Sequence, residues 1–312
     1  MTSENPLLNP LKKIPGISIT LPTRAILYDS EEVSQEVVDA AGEIHIRPMS
    51  SRDELVMRTS DLILNGQAFS HVCRNCIEGI NQPLELFQAD HDAILVGLRI
   101  ATYGDLFPIK LGNIMYDPEN EESKEILEFD LNLRGLLQEG NSLKEIEDYQ
   151  IKIESTGQVV TIQPLRVKAA IDLVHKQLEE NAKANAKKQA SVELDDTHEE
   201  TLEKEGLLRV REVFSRTTKD VTDIQDDFLM NAIRDVDGNR NIDNIMEWYQ
   251  NPGLTAKDFF PIRSAMEQFV DLGVKQTMTV TDPISGEKWD SALPINPFDF
   301  FVSGPDGVTY PV

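Results

Sequence analysis

The clearest helix in this chain of 312 residues is ADHDAILVGLRIATYGD, residues 89–105, and strand-like runs lie on both sides of it. Asp90 can cap this helix, Asp92 complements its dipole, Ile94, Leu98 and Ala101 form one apolar face, and Gly104 suits a left-handed stop. Upstream, ISITLPTRAILYDSEE and GEIHI alternate apolar and polar residues, with Pro22 marking a strand end. The period then changes at Ser50, Ser51 and Asp53, which are suitable N-caps. From Thr59 to Gly104 the pattern is helical, punctuated by Gly66, Gly79 and Pro83.

Downstream, FPIKLGNIM and EILEFDLNL are strand-like, and a solvated acidic loop joins them. YQIKIES, the turn Thr156-Gly157 and QVVTIQPL predict a central β-hairpin. After Pro164, Val167, Ile171, Val174 and Leu178 follow helical spacing, and the apolar stripe then thins to alanines through Ala190. Residues 191–206 hold seven acids and one lysine, the composition of a linker. Beyond them four helical patterns precede a hairpin candidate, KQTMTVTDPISGEKWDSALPI, and an aromatic tail, NPFDFFVSG.

The fold class expected is therefore α+β: N-terminal strands plus short helices, a central β-hairpin, and a mostly helical C-terminal module with a closing β-hairpin. The expected division is an extension at 1–16, a domain at 17–190 ending in the long helix, an acidic linker at 191–206 and a second domain at 207–312.

Charge narrows the function classes. With 54 acidic against 30 basic residues the formal net charge is −24, which opposes direct nucleic-acid binding unless a basic patch stands apart. The best basic run, KANAKKQA at 183–190, has no aromatic residue to stack a base. No stretch approaches the roughly 20 apolar residues that span a bilayer, and the first residues contain no continuous apolar run of a signal peptide. A protein that stays in the cytosol where it is made, with no membrane and no nucleic-acid partner, is expected.

The only two cysteines lie in HVCRNC, residues 71–76. A structural zinc needs about four N or S ligands and no second cysteine pair exists, although His71 and His91 could fill the remaining positions. No histidine follows Cys76 directly, which excludes c-type haem attachment, and no βαβ pattern precedes the pair to suggest a thioredoxin-like site. On a helix, Phe69, Cys73, Cys76 and Ile80 fall on one apolar stripe, so packed thiols are the favoured reading.

DVDGNRNIDNIME, residues 235–247, places Asp235, Asp237, Asn239 and Asn241 at the first ligand positions of an EF-hand loop. The pattern fails at Arg240, where glycine is needed, and at Met246, where the bidentate glutamate belongs. There is no nucleophile elbow, phosphate loop or zinc-protease helix, and the five histidines lie far apart in sequence. No catalytic, cofactor-binding or metal-ligating residue is assigned, and no enzyme is expected.

LPTRAILYDSEE, GEIHIRPMSSRDELVMRTSDLILNG, ADHDAILVGLRIATYGD and the terminal LPINPFDFF, in that order, resemble the T4-like bacteriophage baseplate hub family of tail-assembly proteins. Relatives in that family often carry a zinc-ribbon hairpin, whereas here TDPISGEKW has Asp282 and Ser285 where the cysteines would stand, so the resemblance implies a zinc-free protein. It further implies a structural protein of a contractile tail, a baseplate hub subunit in a hetero-oligomeric assembly, acting in the host cytoplasm and then in the tail baseplate. Its partners would be other hub and tail proteins, including the tape-measure protein. A transient tape-measure chaperone absent from the virion is the alternative within that system, and an envelope-directed hydrolase is the alternative outside it.

Two stretches are candidates for partner contact. Phe298, Phe300 and Phe301 crowd three aromatics near the C-terminus, either as interface anchors or as a tail folded onto its own core. Lys183, Lys187 and Lys188 mark the end of the long helix, either docked on an acidic partner or solvated as a spacer.

Overall fold

The computed structural model describes residues 15–113, 126–176, 226–275, 277–293, 300–301 and 308–310, and its helices and small sheets make an α+β fold. In chain order the first elements are β1 (Ile17–Thr20), α1 (Gln35–Asp39), β2 (Glu43–Ile46), α2 (Ser51–Met57), α3 (Ser60–Leu64), α4 (Gln67–Cys76), α5 (Gln88–Tyr103), β3 (Leu106–Gly112) and β4 (Ile126–Asn132). They are followed by α6 (Leu133–Gln138), β5 (Gln150–Lys152), β6 (Val159–Ile162), β7 (Ile233–Val236), α7 (Ile242–Tyr249), α8 (Ala256–Met266), β8 (Thr277–Thr281), β9 (Lys288–Ala292) and β10 (Val308–Tyr310). Residues 167–176 and 226–232 are also helical.

The chain forms two compact units, one of Met1–Lys144 with Asp271–Val312 and one of Glu145–Val270. These bounds differ from the division expected at the acidic stretch. Residues 191–206 lie outside the described residues, and the closing hairpin belongs to the first unit rather than to a C-terminal domain. The stems of this insertion run side by side within the first unit. Asn141 bridges Leu272 and Gly273, Gly273 N donates to Asn141 O at 2.9 Å, and Asn141 Nδ2 donates to Asp271 O at 3.1 Å. A Cβ on Gly140 would stand 2.0 Å from Gly273 O, so that crossing closes only with glycine.

The first unit is built around α5. Ala93, Ile94, Leu95, Val96 and Leu98 are all inaccessible, so this helix is apolar on every side rather than along the single stripe of Ile94, Leu98 and Ala101. On one side lies the antiparallel pair β1–β2, in register from Ile17 opposite Ile46 to Thr20 opposite Glu43. Gly97 permits this contact, because a Cβ there would meet Ile46 Cδ1 at 2.5 Å. That close approach explains a glycine inside a helix, which otherwise costs about 1 kcal/mol. The sheet β10–β3–β4 pairs β3 antiparallel with β4 and parallel with β10, so the end of the chain returns to the first unit.

In the second unit, β5, β6 and β7 form an antiparallel sheet with an irregularity between Thr161 and Ile162. The central hairpin is present, but its loop is longer than the expected Thr156-Gly157. Ile153 N donates to Gln158 O and Gly157 N to Ile153 O, both at 2.8 Å. The aromatic residues of α7 and α8 pack edge to face, with the Phe259 ring 5.7 Å from Trp248 and 5.0 Å from Tyr249. No described helix is long and apolar enough to cross a membrane.

Candidate functional site

The residues that could carry chemistry in the first unit gather at three places along α2, α4 and α5. At the first, Ser50 and Asp53 form the capping box of α2. Ser50 Oγ donates to Asp53 Oδ2 at 2.6 Å, while Asp53 Oδ1 accepts from Asn75 Nδ2 at 2.7 Å and faces His71 Nε2 at 3.2 Å. Serine, carboxylate and imidazole therefore meet, but the carboxylate stands between the other two. No base reaches the Ser50 hydroxyl, so the group lacks the order that activates a serine nucleophile. Burial would raise the Asp53 carboxyl, but hydrogen bonds from Ser50 and Asn75 outweigh it and hold the group below the usual value.

The thiols of HVCRNC are buried in the core, with Cys76 near enough to Asp53 to feel its charge. Cys73 and Cys76 are both buried, with Phe69 beside them on the same side of α4. Ile80 lies beyond the end of α4, in a bridge to Val33, so the stripe reaches it through a turn rather than through a fourth helical position. Burial pushes the Cys73 thiol well above its ordinary range, and burial with the Asp53 charge pushes Cys76 up to about 11. Both thiols are therefore protonated at neutral pH and poor nucleophiles. Iodoacetamide is expected to label neither in the folded protein at pH 7.5 and both in denaturant. Cys73→Ala with Cys76→Ala should cost about 1–3 kcal/mol in a denaturant melt, the effect of a small core truncation. Rapid native labelling would contradict this reading.

The second place is a buried polar knot. Asp90, expected as a helix cap, lies inside the first turn of α5, and Phe87 occupies the N-cap position. Its carboxylate accepts from Thr23 N at 2.9 Å, from Thr23 Oγ1 at 2.6 Å and from Tyr28 Oη at 2.5 Å. Tyr28 Oη in turn accepts from Phe87 N at 2.7 Å. Asp90 is fully buried, and desolvation lifts its carboxyl to about 6 against those hydrogen bonds. The loop LPTRAILYD is thus tied to the start of α5, with Arg24 and Ala25 held at φ 53° and 58°. Beside the knot, His91 Nδ1 lies 2.9 Å from Asp92 Oδ1, and the His91 ring meets the Phe69 edge with centroids 4.3 Å apart.

The third place gathers α2, α5, β3 and the C-terminal aromatics. Phe300 and Phe301 are buried, Phe300 packs edge to face on Phe107 at 5.2 Å, and Arg58 Nε donates to Phe301 O at 3.0 Å. Of the two uses open to this tail, the rings of Phe300 and Phe301 serve the unit's own core, because burying two phenyl groups at home removes them from any partner surface. Phe298, Lys183, Lys187 and Lys188 lie outside the described residues. Arg99, which sequence periodicity treats as one polar position on α5, is buried, with its guanidinium carbon 4.1 Å from the Tyr103 ring centre and 5.2 Å from that of Phe107. A single charge within the apolar run from Ala93 to Ala101 was the signal available for it.

His71 and His91, the possible partners of the cysteines, face Asp53 and Asp92 instead. Among the described residues no group of three or more His, Cys, Asp or Glu side chains is placed to hold a metal ion. The EF-like residues in the second unit serve a turn. Asp235 Oδ1 accepts from Gly238 N at 3.1 Å and Asp237 Oδ1 from Val159 N at 2.8 Å, while Asn241 caps α7 through Asp243 N and Asn244 N. At the closing hairpin, Asp282 Oδ2 accepts from Ser285 N at 2.7 Å and Asp282 Oδ1 from Asn113 Nδ2 at 3.2 Å. Asp282 and Ser285 thus form a side-chain-capped turn.

Large apolar side chains project to solvent in both units: Leu55 and Leu64 on α2 and α3, and Phe260 and Val270 at and after α8. No family model, curated protein or solved structure matches the chain.

Proposed function

We propose that this chain is a non-enzymatic assembly protein of a contractile phage tail, a baseplate hub subunit that acts through protein contacts. One observation carries the reading: all four stretches that resemble the hub family contribute to a single framework in the first unit. LPTRAILYD supplies Thr23 and Tyr28, the helix supplies Asp90, the SSRDELV segment supplies the Asp53 capping box, and the terminal stretch supplies Phe300 and Phe301. The resemblance therefore follows a scaffold. The carboxylates, imidazoles and thiols within it are engaged in caps, knots and packing, while the surface carries a strong negative charge and exposed apolar side chains suited to partners.

Mass spectrometry of purified virions tests the retained-component form of this reading. The expected result is the chain at a fixed stoichiometry with other baseplate proteins. Absence from virions, together with co-purification with the tape-measure protein from infected cells, would replace the hub subunit by a transient chaperone.

A further inference from the structure

Residues 177–225, outside the described residues, leave and rejoin the second unit at one place. Lys176 Nζ donates to Asp227 Oδ2 at 2.5 Å, and Asp226 Oδ1 accepts from Tyr249 Oη of α7 at 2.5 Å. The chain therefore rejoins the unit against α7. On that helix Ile242, Met246 and Tyr249 follow the i, i+4, i+7 spacing of one side, and Ile242 is 56% and Met246 45% exposed. Asp243 and Glu247 run beside this row and are exposed as well. One exposed apolar side chain needs no explanation, but a row that leads to the point where the chain rejoins does.

The sequence just before that point supplies a matching stretch. LLRVREVF, residues 207–214, is the densest run of large apolar residues within 177–225. At helical spacing Leu207, Val210 and Phe214 share one side, Arg211 borders it, and Arg209, Glu212 and Arg216 share the other. Three arginines against one acid give residues 207–216 a charge opposite to that of Asp243 and Glu247. Phe214 stands twelve residues before Asp226, a reach of up to about 40 Å when extended, whereas the eight residues of α7 are about 12 Å long. Such a tether holds the stretch near α7 at an effective concentration on the order of millimolar. We propose that residues 207–214 dock on the Ile242–Met246 side of α7, arginines toward its acids, and so cover that face from within the same chain. This inference stands apart from the assembly role.

The full chain carrying Met246→Cys provides the test, because that position is exposed while Cys73 and Cys76 are buried. With Val210→Cys added, mild oxidation is expected to join positions 210 and 246 within one chain, at a rate independent of protein concentration. That rate should be at least about tenfold the rate with Glu212→Cys, which helical spacing puts on the far side. In a second readout, Val210→Asp with Phe214→Asp should speed iodoacetamide labelling of the Met246→Cys thiol at least about tenfold, since a tethered contact shields it only while docked. A disulfide that forms between chains in proportion to concentration would make a second copy the occupant and overturn the proposal. Equal rates at positions 210 and 212, or labelling indifferent to the two aspartates, would overturn it too.

Discussion

Asp90→Ala is expected to be among the most destabilising single substitutions in the chain, lowering unfolding free energy at pH 7 by about 3–5 kcal/mol, because it strands three buried donors. Those donors are Thr23 N, Thr23 Oγ1 and Tyr28 Oη, on residues that are all buried. Asp90→Asn keeps the shape and one acceptor oxygen and should lose less. The two variants separate hydrogen bonding from charge through pH. The Asp90 carboxyl titrates near 6 in the fold against 3.8 ordinarily, so the folded state holds its proton more tightly. Its contribution to stability is fully present below about 3.8 and is lost as pH rises through about 6. The advantage of the native chain over Asp90→Asn, measured by urea melts, should therefore shrink by about 2–3 kcal/mol between pH 4 and pH 7. An advantage that grows with pH over that range would mean that hydrogen bonding outweighs desolvation at this carboxylate.

Removing the tail should be as severe. Truncation after Pro297 deletes two buried phenyl groups, the carbonyl that accepts from Arg58 and the strand that pairs with β3. Phe301→Ala alone is expected to cost about 3–5 kcal/mol, and the truncated chain should melt early or aggregate. A truncated chain that remained monodisperse, melted at the native temperature and lost only its partners would make the tail an interface.

Local pattern was enough to place most elements. The period of α5, the alternation in β1 and β2, the Ser50–Asp53 box and both hairpins depend on neighbours in sequence, and such neighbours reveal themselves by spacing. What spacing could not reveal is long-range. Asp90 sits where a helix cap would sit, and only a loop 67 residues earlier makes it a buried acceptor. The bounds of the two units rest on long-range contacts in the same way. An acidic stretch is a local sign of a linker, whereas the parallel pairing of Val308–Tyr310 with Ile109–Leu111 joins segments from opposite ends of the chain. Arg99 was overlooked because one charge on a helix usually faces water, and its burial depends on aromatics from β3 and α5 closing over it.

The most direct test of the proposed assembly role is a nonsense codon in the gene for this chain, in the phage that the proposal implies, with electron microscopy of lysates from non-suppressing cells. An assembly protein predicts filled heads without complete tails, and restoration of tails by the full chain supplied in trans. Normal tailed particles that adsorb but fail only at the host envelope would contradict that role and point to an enzyme instead.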